Sequence, residues 1–276
     1  MVGILPPSDP SPPSPTIAFF GATGGCALAA LVATLEAGHH ARALARTPQK
    51  LLDLLQKRGL SPQRTDSNLV IVQGNAKDPE AVTKTLRSDS GTVVDKIIFG
   101  IGGTPKLLPN PLKPILDDPL VCQTSISTIL TSLSSLFSQN PIPSNDEQPQ
   151  PRPLLTAIST TGMSPKRDIP LAMIPLYHWA LPIPHADKKI MEELIEKAKT
   201  EGVIRDFVIV KASFLTDGKR LGLGKVRVGW EGGEAEGCGP AVGYTIGRED
   251  VGGFIFEEVI ERVKEVYLGK KVTVTY

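Results

Sequence analysis

The residues best spaced to do chemistry are Gly21-Ala22-Thr23-Gly24-Gly25-Cys26-Ala27. They follow the apolar run Ile17-Ala18-Phe19-Phe20 and open the helix-like run Leu28 to Ala37. Strand, glycine turn and helix together can hold a pyrophosphate. Backbone N–H groups at the helix start point at the anion, and the helix dipole favours its charge. Gly21 permits the tight turn, Gly24 lets the backbone approach the phosphates, and Ala27 is the third small residue, where helix packs on strand. Ala22, Thr23, Gly25 and Cys26 complete the loop. An ordinary strand-to-helix turn is the competing reading, and the flanking strand and helix weigh against it.

The next βα junction bears on which dinucleotide would bind. An NAD site calls for an acidic residue at the end of the second strand, whereas an arginine there accommodates the 2′-phosphate of NADP. The chain reads Arg42-Ala43-Leu44-Ala45-Arg46-Thr47-Pro48-Gln49-Lys50. Arg46 stands just past the strand, with Lys50 and Arg42 as supporting charges. Arginine suits bidentate phosphate binding, so NADP(H) is expected over NAD. The bland alternative is a solvated basic helix start. Asn75 follows the third strand, where its amide could bond the adenine edge or simply make a turn. Gly100 and Gly102 end the fourth strand, where the chain would pass close to the cofactor.

These residues need elements to hold them. Strands are expected at Ile17–Phe20, His40–Ala45, Leu69–Gln73, Val93–Phe99, Leu154–Ser159, Phe207–Ala212 and Val272–Tyr276. Helices are expected at Ala27–Ala37, Pro48–Arg58, Pro79–Arg87 (with Asp78 as N-cap), Val121–Phe137, Ala186–Glu201 and Phe254–Tyr267. A capping carboxylate is a strong helix start signal. The alternation predicts an α/β fold, a Rossmann-type doubly wound parallel sheet with ligands at the C-terminal strand ends. One domain over 16–276 is expected, with a substrate-binding portion formed mainly by 163–185 and 212–250. Residues 1–15 read as a disordered Pro/Ser-rich leader, and Ser138–Pro153 as a surface insertion.

The chain has 276 residues, with 30 Lys plus Arg against 29 Asp plus Glu, a balance that points to no nucleic-acid or acidic-membrane partner. Cys26, Cys122 and Cys238 are widely spaced and make no metal-ligand pair with each other or with the histidines, so no metal is expected. A reduced cytoplasmic setting is the simplest reading. No apolar run is long enough to span a bilayer. The expected partner is a small molecule, and the state a monomer or homodimer.

Together these features resemble the atypical short-chain dehydrogenases, in particular their NmrA-like, NAD(P)H-binding branch. The matching positions are Gly-Ala-Thr-Gly at 21–24, Arg-Ala-Leu-Ala-Arg at 42–46, Ser-Thr-Thr-Gly at 159–162, Asp-Lys-Lys-x-Met-Glu at 187–192 and Arg-Glu-Asp-Val at 248–251. The likeness covers nearly everything from residue 16 on. The chain also looks similar to averufin-oxidase-like proteins of fungal aromatic-polyketide pathways, mainly through Pro170–Lys189. The resemblance implies a Rossmann fold, bound NADP(H) and a substrate pocket built from the C-terminal portion.

Short-chain dehydrogenases use a Tyr-x-x-x-Lys pair: the tyrosine moves the substrate proton, and the lysine lowers its pKa and holds the nicotinamide ribose. The literal match, Tyr267 to Lys271, lies across a helix-stopping glycine and far from the family's place. At that place stands His185-Ala186-Asp187-Lys188-Lys189. The resemblance therefore puts His185 in the tyrosine position and Lys189 in the lysine position, four apart on one helix face. A histidine titrates near 6.5 rather than 10, and suits proton abstraction or enolisation as well as carbonyl reduction. Its lesser alternative is to line a pocket. Ser159, Thr160 and Thr161 compete to polarise the substrate oxygen, with Thr161 preferred and Thr160 also at the cofactor's edge. Phe214 is expected as a wall near the nicotinamide, or as plain core.

Leu171–Pro182 is apolar and aromatic. Tyr177, His178 and Trp179 could contact a flat phenolic substrate, and Tyr177 could also supply the missing tyrosine from another backbone position. Asp250 reads as structural. The leading expectation is an NADPH-dependent oxidoreductase of secondary metabolism acting on an aromatic polyketide intermediate. The alternatives are a redox-neutral isomerase, cyclase or dehydratase driven by His185, and a non-catalytic NADP sensor.

Overall fold

The computed structural model describes residues 15–103, 105–106, 115–139, 151–232 and 239–276. Cys238, the leader up to residue 14 and the middle of the expected insertion lie outside the described residues.

The chain begins β1 (Thr16–Phe20), α1 (Gly25–Glu36), β2 (His40–Ala45), α2 (Pro48–Lys57), α3 (Pro62–Asn68) and β3 (Leu69–Gln73). It continues α4 (Pro79–Leu86), β4 (Lys96–Phe99), the short pair β5 (Pro105–Lys106) and β6 (Ile115–Leu116), and α5 (Val121–Gln139). Then come β7 (Leu154–Thr160), α6 (Ile174–Ala180), α7 (Pro182–Thr200), β8 (Asp206–Ala212) and β9 (Phe214–Thr216). The chain ends with β10 (Arg227–Glu231), β11 (Thr245–Gly247), α8 (Arg248–Phe254) and β12 (Lys270–Thr275).

Eight strands form one sheet in the order β10-β12-β8-β7-β4-β1-β2-β3, parallel throughout except for the edge strand β10. Helices cover both faces, so the central strands can be apolar on both sides. Ile17 to Phe20 are all fully buried. One core forms with α1 and the C-terminal helix, where Leu31, Leu35, Phe254 and Val259 meet. The other forms with α4, α5 and α7, where Leu86, Ile126, Leu133 and Met191 meet. Asp78 caps α4 as expected, accepting from Glu80 N–H at 3.0 Å ahead of Pro79.

Because β1 lies between β4 and β2, the winding direction reverses there. A crevice opens beyond the C-terminal ends of β1 and β4, where open α/β sheets bind ligands.

Some boundaries differ from expectation. β4 starts at Lys96 rather than Val93, because residues 88–92 make a turn closed by the Arg87–Val93 bridge. α7 starts at Pro182 rather than Ala186. Its prolines fall in the first turn, where a missing N–H costs no helical bond. The last helix starts at Arg248 and runs on as a π-helical turn over Ile255–Glu261. Burial of Asp250–Phe254 outweighs the weak propensity of Gly252-Gly253. The three-residue strands β9 and β11 pair with each other beside the main sheet. Among the described residues no helix is long and apolar enough to cross a membrane.

Candidate functional site

The crevice is built from the glycine loop upward. Gly21 has φ +82°, and a Cβ there would stand 2.7 Å from the carbonyl carbon of Gly100. The ends of β1 and β4 therefore approach as only glycine allows. Gly24 N–H donates to Gly21 O at 2.9 Å, and α1 starts at once. Its N-cap, Gly24, brings no side-chain cap, and the first turn carries no acidic residue. The helix start can thus give its N–H groups to an anion.

A cleft of about 350 Å³ runs from this loop along the ends of β2 and β3. Gly21, Thr23, Gly24, Gly100 and Gly102 line one end; Arg46, Lys50 and Asn75 line the other. Asn75 Oδ1 accepts from Lys77 N–H at 3.1 Å, the turn role weighed for it. Lys77, not singled out in the sequence, also lines the cleft and pairs with Asp118. Ala22 and Cys26 are buried beneath the loop, and Gly25 lies under Arg248. Burial pushes the Cys26 thiol up to about 12, so it is inert near neutrality. Arg42 is not a supporting charge: its guanidinium is buried and bonds Asp89 at 2.6 Å and Lys84 O at 3.0 Å, away from the cleft.

The second half of the site gathers past β7. Gly162, with φ +89°, turns the chain there, and a Cβ on it would meet Tyr177 at 2.5 Å and His185 at 3.1 Å. The two rings lie together over this bare backbone, their centroids 5.9 Å apart. Thr161 Oγ1 is 3.4 Å from the Tyr177 hydroxyl, and both residues are buried. Burial raises the Tyr177 pKa, Thr161 works against that rise and the Asp168 carboxylate adds to it. Asp168 Oδ1 in turn accepts from Gly162 N–H at 2.9 Å and holds the turn. Thr161, Tyr177 and His185 thus form one cluster. Ser159 is not part of it, since its hydroxyl donates to Glu192 at 2.6 Å. Thr160 is half-buried at the strand end.

The lysine assignment needs correcting. Lys189 is exposed, because α7 buries Asp187, Met191, Glu192 and Ile195 and turns residue 189 outward. Lys188 instead reaches inward, donating to Ile158 O at 2.8 Å. Its charge also bears on Cys26 and Cys122. Adjacent helix residues differ by about 100°, so one position decides which side of the helix a side chain takes. The rejected Tyr267 packs in the core against Trp230 and Phe254 at 5.6 and 5.4 Å.

Phe214 (53%) and Trp179 (52%) are exposed, as are Leu171 and Ile183. Phe214 is therefore not core. The side chain of His178 lies outside the described residues. Asp250 is fully buried and accepts from Leu221 N–H, Gly222 N–H and the Tyr276 hydroxyl, so it fixes the loop before β10.

Two buried charges support the site from behind. The Asp187 carboxylate accepts from Cys122 N–H at 2.8 Å and Gln123 N–H at 2.9 Å, capping α5 from α7. Buried Lys211 donates to Ser164 at 2.7 Å and lies 4.0 Å from Glu192, tying β8 to the loop after Thr161. The only signal was a charged residue at a core-facing position of each element. Among the described residues no His, Cys, Asp and Glu cluster could hold a metal ion.

No protein-family model matches the chain. It is 46% identical over 273 residues to reductase pytE of Aspergillus terreus, covering 95% of this chain and 98% of the relative. It is 39% identical to oxidase pynE of Aspergillus niger, again over 95% and 98%. Among solved structures it resembles the anaerobillin reductase ChuY of Escherichia coli O157:H7, with a TM-score of 0.57, 14% identity, and coverage of 94% and 96%. It resembles the oxidoreductase ylbE of Lactococcus lactis, with a TM-score of 0.57, 16% identity, and coverage of 94% and 90%. At those identities the structures establish the fold, a Rossmann-type α/β arrangement.

Proposed function

This chain belongs to the fungal family of reductase pytE and oxidase pynE, and we propose that it is an NADP(H)-dependent oxidoreductase of secondary metabolism acting on an aromatic, phenolic or quinonoid polyketide intermediate. The observation that carries the reading is that an anion-binding loop and a hydroxyl–imidazole cluster both lie at the C-terminal ends of neighbouring parallel strands. An uncapped glycine loop with Arg46 and Lys50 lines the cleft, and the Thr161–Tyr177–His185 cluster lies past the C-terminal end of β7, the strand beside β4. The similarity to NmrA-like short-chain dehydrogenases belongs to the same reading.

The residues fit a phosphorylated dinucleotide. The start of α1 leaves backbone donors for a diphosphate, and Arg46 and Lys50 line the other end of the cleft as cations that would favour a 2′-phosphate. When bound, the reduced nicotinamide supplies a hydride to an electrophilic carbon. The protein must then manage the oxygen attached to that carbon. Thr161 donates a hydrogen bond to it, and Tyr177 delivers the proton. The raised pKa of Tyr177 keeps that proton available through the neutral range. His185, against the tyrosine ring, orients it and can relay a proton. Lys188 takes the ribose-holding part that the resemblance assigns to a lysine. Phe214 and Trp179 offer apolar faces to a flat substrate.

A second reading draws on the contact of His185 with Tyr177. An imidazole beside a phenol can take a proton from one substrate atom and return it to another, giving a redox-neutral isomerisation or dehydration. Incubation with NADPH and phenolic or quinonoid polyketides separates the two. Loss of reduced-nicotinamide absorbance in step with product supports the oxidoreductase. Turnover without that loss supports the second reading.

A further inference from the structure

We infer that Arg248 is a ligand of the dinucleotide's diphosphate, held ready by Asp217; the inference rests on the dinucleotide reading above and adds to it a residue outside the glycine loop.

Arg248 opens α8, directly after β11. Its side chain lies across the first residue of α1. A Cβ on Gly25 would stand 2.4 Å from Arg248 Cδ and 3.3 Å from its Cβ and Cγ. Gly25 therefore does more than keep the loop small. It makes the space in which an arginine stem crosses the helix start.

That stem carries a guanidinium to the place where the helix offers uncapped N–H groups and no acidic side chain. The charge is felt there. Burial raises the Cys26 thiol, and Arg248 acts against it more than any other charge.

The guanidinium is only loosely engaged. Its Nη1 bonds Asp217 Oδ1 at 2.8 Å, but the Asp217 side chain is 89% exposed. An exposed carboxylate is a weak partner, screened by water. A diphosphate offers more charge and several oxygens, two of which can accept from the guanidinium fork together. Glu249, the neighbouring carboxylate, is taken by Arg58 and does not compete. A bound diphosphate would thus draw Arg248 from Asp217 and be gripped from both sides, by the N–H groups of α1 and by the first side chain of α8.

Calorimetric titration of the full chain tests this, with NADP+ and adenosine 2′-monophosphate as the two probes. The second probe keeps the adenosine and the 2′-phosphate but lacks the diphosphate. Arg248→Met should weaken NADP+ binding about tenfold or more and leave adenosine 2′-monophosphate unchanged. Arg248→Lys should recover part of the loss, and Asp217→Asn should leave binding equal or tighter. Equal NADP+ affinity in wild type and Arg248→Met would overturn the inference. A parallel loss of both probes would also overturn it, because it would report distortion. Should Arg248→Met fail to fold, Arg248→Lys decides: undiminished NADP+ binding contradicts a bidentate grip. A wild-type protein that binds neither NADP+ nor NAD+ refutes the dinucleotide reading itself, a result distinct from a silent Arg248.

Discussion

The hydroxyl of Tyr177 lies 3.4 Å from that of Thr161. One comes from a short helix and the other from the bend just past β7, and neither neighbours the other in sequence. A gap of that size is longer than a formed hydroxyl–hydroxyl bond, and a substrate oxygen can accept from both. Tyr177→Phe should lower turnover by about a hundredfold or more, and Thr161→Val by less. The pH profile identifies the donor. Burial raises the Tyr177 pKa above its ordinary 10, so a tyrosine donor keeps the rate up through neutral pH and loses it only in the far alkaline range. Turnover profiles of wild type and Tyr177→Phe check this.

Lys188 and Lys189 differ by one position and by everything in surroundings. Lys188→Met should weaken cofactor binding about tenfold or more, because it removes the inward-reaching ammonium proposed to hold the ribose. Lys189→Met changes an exposed side chain and should leave affinity and turnover near wild type. Titration of both variants with the cofactor compares them directly.

This pair shows where the sequence stops being legible. The alternating strands and helices were readable because buried parallel strands are apolar runs and α4 has a capping Asp78 before Pro79. The glycine loop, Arg46 and Lys50 were readable because spacing after a strand fixes their place. Which lysine of α7 turns inward is set by what the helix packs against, and adjacent residues carry no label for that. The expected helix start at Ala186 falls one turn late, because the first turn of α7 accommodates Pro182 and Pro184. Strands as short as β9 and β11 leave too few residues for a period. Tyr177 was legible as a candidate only. Its meeting with Thr161 depends on the bend at Gly162 and the carboxylate of Asp168.

Asp187 joins two helices by capping α5 from α7. Asp187→Asn keeps the size and loses one of two acceptor oxygens, leaving a buried backbone donor unpaired. The expected cost is about 1–2 kcal/mol, read as a lower urea midpoint. Activity at temperatures where the variant remains folded should fall less than in Tyr177→Phe.

The buried thiols set an alkaline limit on stability. Burial pushes Cys26 and Cys122 from 9.0 up to about 12. The unfolded chain releases these protons above about pH 9, where the native state still holds them. The stability they lend is therefore whole below pH 9 and falls toward pH 12, by about 1.4 kcal/mol per pH unit for each thiol. Lys96 has the opposite sign, since burial lowers it from 10.5 to about 8 and stability rises between those values. Its effect cancels in a comparison at the thiols. Urea midpoints across the alkaline range should fall more gently in the Cys26→Ala, Cys122→Ala double variant than in wild type.

The claim on which the account depends is that the crevice beyond β1 and β4 holds a phosphorylated dinucleotide selected by Arg46 and Lys50. Titration of the purified protein with NADP+ and with NAD+, repeated on Arg46→Ala, tests it most directly. The account predicts saturable binding that favours NADP+, with a loss of about tenfold or more in Arg46→Ala for NADP+ alone. Absence of binding by either dinucleotide, or equal affinity for both that Arg46→Ala leaves untouched, would contradict it.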